Sequence, residues 1–374
     1  MHDDDRTMTA TTDFIPPQIA PIATDDAFAR AVDAELDAKT KPLGALGELE
    51  RLAARIARVQ QRLAPSIAHA EALVFAADHG VAAEGVSAFP QAVTAQMVAN
   101  FLAGGAAICV LARANGARLR VVDAGVAADL TPHPALIARS LGRGTANIVH
   151  APAMTAAQCA EALNEGVTLG MALPEHGMHE DGMPKYGVLV LGEMGIANTT
   201  SAAALMRVLT GTPVADCVGR GTGVDDAGIA RKCAAIHAAV ARHGIDGTPL
   251  QLLARYGGFE IAMMAGAMLG AASKRQVILI DGFIATAAIA VAARIAPAVL
   301  DYCVFGHVSA EAPHRQWLKL LEARPLLDLG MRLGEGSGAM LALPLLRAAC
   351  AILSDMATFQ SAGVSGRDDA EAAM

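Results

Sequence analysis

The sequence predicts a doubly wound, mostly parallel, Rossmann-like α/β sheet, with a smaller helical domain contributed by the two ends of the chain. Two observations carry this. The first is a recurring unit in which a short β-branched run meets a glycine-rich turn and then an alanine-rich stretch. It appears in ALVFAADHGVAAEGV, RLRVVDAGVA, YGVLVLGEMGIANTTSAAALMRVLTG, RQVILIDGFIATAAIAVAARIAP and DYCVFGHVSAEAPHRQWLKLLEARP. Continuous apolar runs suit strands buried on both faces, and their alternation with helices implies a parallel sheet with right-handed crossovers. The second is the N-terminal stretch DAFARAVDAELDAKTKPLGALGELERLAARIARVQQRLAP, which has helical spacing and no strand signal.

Taken in order, residues 1–24 read as a flexible tail, acidic at first and carrying Pro16-Pro17. They lack the apolar core of a secretory signal and the character of a transit peptide. Residues 25–65 join LPLLRAACAILSDMATF near the C-terminus in the helical domain, 25–65 plus 340–362. Residues 66–339 form the large α/β catalytic domain, and 363–374 a second tail.

Composition narrows the function. The 374 residues carry a formal net charge of −8 and no block of Lys or Arg, so a footprint for nucleic acid is missing. Apolar residues make up 53% of the chain, yet FIATAAIAVAA meets Arg294, IAMMAGAMLGAAS meets Lys274 and FLAGGAAICVLA meets Arg113. Each run stops short of the ~20 apolar residues a membrane span needs. Six cysteines are scattered with no C-x-x-C pair, the pattern of packed thiols in a reduced, cytoplasmic protein.

In such sheets, ligands bind at the carboxyl ends of the strands, and the glycine-rich segments fall there. GEMGIANTT follows the run VLVL and offers Asn198, Thr199 and Thr200 at a helix start, where bare amides favour an anion. A plain strand-to-helix turn is the alternative, and Glu193 beside it favours function, because a carboxylate next to an anion site is unfavourable unless it serves a ligand. CVGRGTGVDDAGIARK adds a second glycine loop with Arg220 and Lys232. Its Asp225-Asp226 pair is similar to the acids that grip activated ribose through magnesium, but it follows the glycines and opens a helix, so capping is favoured. FGHVSAEAPH supplies His307, Ser309, Glu311 and His314; the order fits no common zinc spacing, and Ser309 reads as a phosphate donor rather than part of a metal site. His176 and His179 in PEHGMHEDGMPKYG read as an exposed polar loop. Asp78-His79 in ADHGV is equally a functional pair or a turn cap. In LGEGSGA, Glu335 stands among three glycines whose conformational freedom packing alone does not justify, which points to a ligand.

TKPLGALGELE, ADHGV with EGVS, VVDAGV, GEMGIANTT, GRGTGVDD, DGFI, GHVSAE and LGEGSGA occur in this order between Thr40 and about Val364. Together they resemble the nicotinate-nucleotide:dimethylbenzimidazole phosphoribosyltransferases, which make the lower-ligand nucleotide of cobalamin. The resemblance implies transfer of 5-phosphoribose from nicotinate mononucleotide to 5,6-dimethylbenzimidazole with inversion at the anomeric carbon, no metal and no cofactor, in a homodimer. It implies that Glu335 is the general base and that Glu193 lies near the reacting centre. Phosphate and nucleotide contacts map onto Gly195, Asn198, Thr199, Gly221, Thr222, Lys232, Ser309 and Gly338. Met194, Leu333 and the loop carrying Ser87, Phe89, Gln96 and Met97 are implied to wall the base pocket. Ala197 stands where the family usually has glycine, and the loop SAFPQAVTAQM leaves open whether a related benzimidazole, adenine or a phenol is the acceptor.

Overall fold

The computed structural model describes residues 14–172, 187–221 and 223–365. Seven strands form one sheet in the order β3-β2-β1-β4-β5-β6-β7, and every adjacent pair is parallel. They are β1 (His69–Ala77), β2 (Arg118–Gly125), β3 (Leu136–Ala138), β4 (Gly187–Met194), β5 (Val277–Ile280), β6 (Cys303–His307) and β7 (Pro325–Leu327). The inner strands β1, β2, β4, β5 and β6 are the apolar runs read from the sequence, and all but β2, which is partly exposed at its start, are buried almost throughout. β3 and β7, three residues each, close the two edges.

Helices alternate with the strands. α1 (Ala27–Asp37) and α2 (Glu48–Gln60) precede β1, while α3 (Val93–Leu102) and α4 (Ala107–Ala114) lie between β1 and β2. α5 (Ala156–Met171) leads into β4. From β4 the chain passes through α6 (Asn198–Thr210), the single turn α7 (Val214–Cys217), α8 (Asp226–His243), α9 (Pro249–Tyr256) and α10 (Phe259–Ser273) to β5. α11 (Phe283–Ile295) and α12 (Ala312–Leu320) are the last crossovers, and α13 (Ser337–Asp355) and α14 (Phe359–Ala362) end the described chain.

α10 and α11 cover one face of the sheet, with α5 packed on α10; α13 covers the other, touching α2, α4 and strands β4 to β6. At the α5–α10 crossing, glycine meets main chain: a Cβ on Gly166 would lie 2.1 Å from the Met263 carbonyl oxygen, and one on Gly266 2.1 Å from that of Leu163. The helices therefore touch backbone to backbone.

Helices from the two ends of the chain meet, with α2 packed against both α1 and α13. Because α13 also lies on the sheet, one hydrophobic cluster runs from Val32 and Leu36 through the strands to Leu353. Residues 14–22, within the segment expected as a tail, are docked. Phe14 is buried, the Ile22 amide donates to Asp301 at 2.9 Å, and the Tyr302 hydroxyl donates to the Ala20 carbonyl at 2.7 Å. The prolines keep this segment extended, and those two bonds with one buried ring hold it.

Among the described residues, two helical stretches are apolar enough, by length and composition alone, to cross a membrane, 93–114 and Ser337–Asp355. The first is broken at Gly104-Gly105 into α3 and α4, and the second is α13, packed on α2 and the sheet.

Candidate active site

Strand order reverses direction between β1 and β4, and a crevice opens beyond the carboxyl ends at such a switch point. A cavity of about 340 Å³ sits there. Segments following β4, β5, β6 and β7 line it, together with α3 and the loop before it. A larger groove of about 720 Å³ lies away from these loops, between α1–α2 and the β6–β7 edge. Charged pairs such as Arg58–Asp33 and Arg51–Glu48 already occupy its rim. It has none of the features described next, so the chemistry is placed in the smaller cavity.

Glu335 is held in the left-handed region at φ +65°, between Gly334 at +84° and Gly336 at +90°. Glycine adopts this conformation freely, whereas a glutamate there costs on the order of 1–2 kcal/mol. The surroundings enforce it. Asp281, just past β5, accepts from the Gly336 amide at 3.1 Å and the Ala339 amide at 2.9 Å. Gly192, inside β4, lets the loop lie against the strand, since a Cβ there would sit 2.0 Å from the Glu335 carbonyl oxygen.

Glu193, at the end of β4, faces the same loop: a Cβ on Gly334 would meet its Oε1 at 2.3 Å. Its Oε2 accepts from the Asn198 amide side chain. Both carboxyls are nearly out of water, at 8% and 6% exposure for Glu193 and Glu335. Burial pushes Glu193 up to about 8, with Asp281, Glu260 and Glu335 adding to the rise and the Asn198 bond opposing it. Burial also raises Glu335, but there the Ile108 amide in the first turn of α4 opposes, while Asp281 adds. Near neutral pH, then, Glu193 keeps its proton and Glu335 is the easier of the two to ionise. Its Oε2 has no hydrogen-bond partner.

Beside the carboxyls lies a polar region suited to phosphate. Thr199, Gly221, Ser309 and Arg332 line it. Lys232 lies beneath, fully enclosed, donating to Thr199 Oγ1 at 3.0 Å and the Gly219 carbonyl at 3.1 Å. Burial lowers its ammonium to about 8, against the pull of Glu311. Arg332 donates to the Gly221 carbonyl at 3.1 Å. The remaining wall is apolar: Phe89, Val93, Met97, Met194, Phe283 and Leu333. Phe89 and Leu333 are about half exposed, 50% and 55%, so this side is open to solvent.

Of the residues picked from sequence, Glu193, Glu335, Met194, Gly195, Asn198, Thr199, Gly221, Ser309, Phe89, Met97 and Leu333 come together on the cavity. Lys232 and Gly338 back it, Gly338 because a Cβ would collide with the His307 ring at 2.0 Å. Two residues expected in the base pocket do not line it. Gln96 points to solvent: the buried stripe of α3 is Thr94, Val98 and Phe101, Val93 and Met97 flank it toward the cavity, and Gln96 falls beyond them. Ser87 instead holds its own turn, accepting from the Phe89 amide at 3.2 Å. Thr222, His176 and His179 lie outside the described residues.

Arg332, Phe283 and Asp281 were not singled out from sequence, although DGFI at a strand's carboxyl end was a signal for the last two. His79, one of the ADHGV pair, is fully buried and bridges Ser201 Oγ at 2.9 Å and Glu260 Oε1 at 2.6 Å beneath the GIANTT turn. Asp78 accepts from the Ala127 amide at 2.8 Å. Both support the floor rather than face the cavity. Among the described residues, no group of three His, Cys, Asp or Glu is placed to hold a metal ion.

A family profile described as phosphoribosyltransferase matches residues 22–364. The chain is 56% identical over 343 residues to the nicotinate-nucleotide–dimethylbenzimidazole phosphoribosyltransferase of Ralstonia nicotianae, covering 91% of this chain and 95% of that one. It is 53% identical to the protein of the same name from Cupriavidus taiwanensis, over 93% of this chain and 98% of that one. The crystal structure of CobT from Thermus thermophilus superposes with a TM-score of 0.85 at 46% identity, covering 90% of this chain and 98% of the other. With the motifs now gathered around one cavity, and similarity at this level over nearly the full length, the chain belongs to the nicotinate-nucleotide–dimethylbenzimidazole phosphoribosyltransferase family.

Proposed function

We propose that this protein transfers 5-phosphoribose from nicotinate mononucleotide to 5,6-dimethylbenzimidazole, releasing nicotinate and α-ribazole 5′-phosphate. The observation that carries this reading is the pair of buried carboxyls, Glu335 held at a positive φ beside Glu193, at the junction of an apolar wall and a phosphate-suited one. The nucleotide's phosphate lies toward Thr199, Gly221 and Ser309, with Lys232 supplying charge from below. The aromatic acceptor lies between Met194, Phe283 and Leu333. One ring nitrogen attacks the anomeric carbon from the face opposite nicotinate, and the bond to the pyridinium nitrogen breaks, returning its electron pair to nicotinate. The proton on the other ring nitrogen passes to Glu335, a general-base step of about 10²–10⁴ in rate. Attack from the opposite face inverts a β-nucleotide to an α-nucleotide.

The strained Glu335 conformation supports this role, because strain persists where the surroundings over-determine a functional geometry. We also assign the protein to a homodimer in the cytoplasm. Six free thiols, five of them buried, fit a reducing compartment. Light scattering in solution reads the dimer directly.

The test is an assay with nicotinate mononucleotide and 5,6-dimethylbenzimidazole in the absence of added metal, with products identified by mass and the anomeric linkage by NMR. An α-linked riboside phosphate with stoichiometric nicotinate is expected. Binding of both compounds without turnover would reject the reaction. Turnover only with adenine or a phenol would reject the acceptor and keep the chemistry.

A further inference from the structure

His314 has no place in the reaction above, yet it is fully buried directly behind the phosphate-suited wall. Its ring is a strut between two cavity loops. The Ser309 amide donates to Nδ1 at 2.8 Å, so that nitrogen carries a lone pair. Nε2 then bears the proton and faces Thr286 Oγ1 at 2.9 Å, and the Thr286 hydroxyl donates onward to the Gly282 carbonyl at 2.8 Å. Gly282 and Ser309 both line the cavity, at the ends of β5 and β6.

The chain of donors has a further effect on Ser309. Its amide is committed to His314, and its Oγ accepts from the Glu311 amide at 3.2 Å. The hydroxyl proton is left as the uncommitted donor, on a residue that lines the cavity. We propose that His314 is a positioning residue for nucleotide binding: as the Nε2-protonated tautomer it fixes the Ser309 loop against Gly282, so that the Ser309 hydroxyl meets the substrate phosphate. Burial holds the His314 ring down at about 4; His307 and Arg315 act in the same direction and Asp281 against it. The ring therefore stays neutral, and its Nδ1 stays an acceptor, through the neutral range.

The inference rests on the assignment of this cavity to nicotinate mononucleotide, and the experiment separates the two. The tautomer of His314 is read by ¹⁵N NMR of histidine-labelled protein. Dissociation constants for nicotinate mononucleotide and 5,6-dimethylbenzimidazole are measured by calorimetry for wild type, Thr286→Val, His314→Leu and His314→Gln. Thr286→Val keeps the side chain's shape and removes the acceptor for Nε2, so it carries the test if His314→Leu does not fold. We expect an Nε2-protonated ring, a roughly tenfold loss of nucleotide affinity in Thr286→Val and His314→Leu, base affinity within about twofold of wild type, and recovery in His314→Gln, whose amide supplies both acceptor and donor. An Nδ1-protonated ring, or nucleotide affinity unchanged in folded variants, overturns the proposal, as does an equal loss for nucleotide and base. Wild-type protein that binds the nucleotide without forming product rejects the reaction and leaves the positioning role standing on the affinities. Wild-type protein that does not bind nicotinate mononucleotide rejects both.

Discussion

Glu335 and Ala197 are two non-glycine residues with φ above +60°, and they flank the same cavity for different reasons. Glu335 bears its strain at a carboxyl that lines the cavity. Replacement by Gln is expected to lower kcat by about 10²–10⁴ while leaving the affinity for nicotinate mononucleotide within a few-fold. Wild-type turnover in that variant would remove Glu335 from the role of base. Ala197, at φ +75°, precedes α6 and is buried, but is not among the residues that line the cavity. Ala197→Gly should relieve the left-handed strain, offset by the larger freedom of glycine in the unfolded chain, and raise stability by about 0.5–1 kcal/mol in denaturant melts. A loss of stability would mean that the methyl packs better than its backbone suggests. At this scale the sequence was most legible where a charged residue stood among glycines, as Glu335 does. It was least legible where direction mattered: Gln96 and Met97 are neighbours, and the phase of α3 alone decides that one lines the cavity and the other does not.

Among the elements, the strands that carry the site were readable because they are buried on both faces and so lack polar positions. β3 and β7 were not, since three residues leave no periodicity to read, and edge strands are commonly this short. The helices from the two ends of the chain were legible as helices, but not their union with the sheet, because α13's apolar residues fit a partner helix and a sheet equally well. The α5–α10 crossing depends on absent side chains. Gly266→Ala would drive a Cβ into the Leu163 carbonyl, a backbone group that cannot swing aside, and should cost about 1–3 kcal/mol by denaturant unfolding. A change below a few tenths would show that the two helices separate easily.

At the scale of the whole molecule, a buried acid links the site to stability. Glu193 is protonated in both folded and unfolded chains below about pH 4.5, and there it imposes no penalty. Above that, the unfolded chain ionises while the folded one keeps its proton, so this contribution is lost progressively up to about pH 8, where the folded carboxyl ionises too. Glu193→Gln should therefore match wild type in Tm near pH 4.5 and exceed it increasingly toward pH 8; a gap that stays constant with pH would contradict the raised value. The two sides of the cavity also differ in how they are held. Behind one side, the glycine-seamed pair α5 and α10 anchors Glu260, which through His79 grips Ser201 in the first turn of α6. The opposite rim is Phe89 and Leu333, half in solvent and backed by loops. The fold thus resembles a vice with one fixed jaw and one sliding jaw: under the proposed reaction the nucleotide sits on the fixed side, and the breathing that admits or releases a flat aromatic base falls to the other. On that proposal, tolerance for bases of different width is set at this exposed rim, by Phe89 and Leu333, and can change without disturbing the contacts to phosphate.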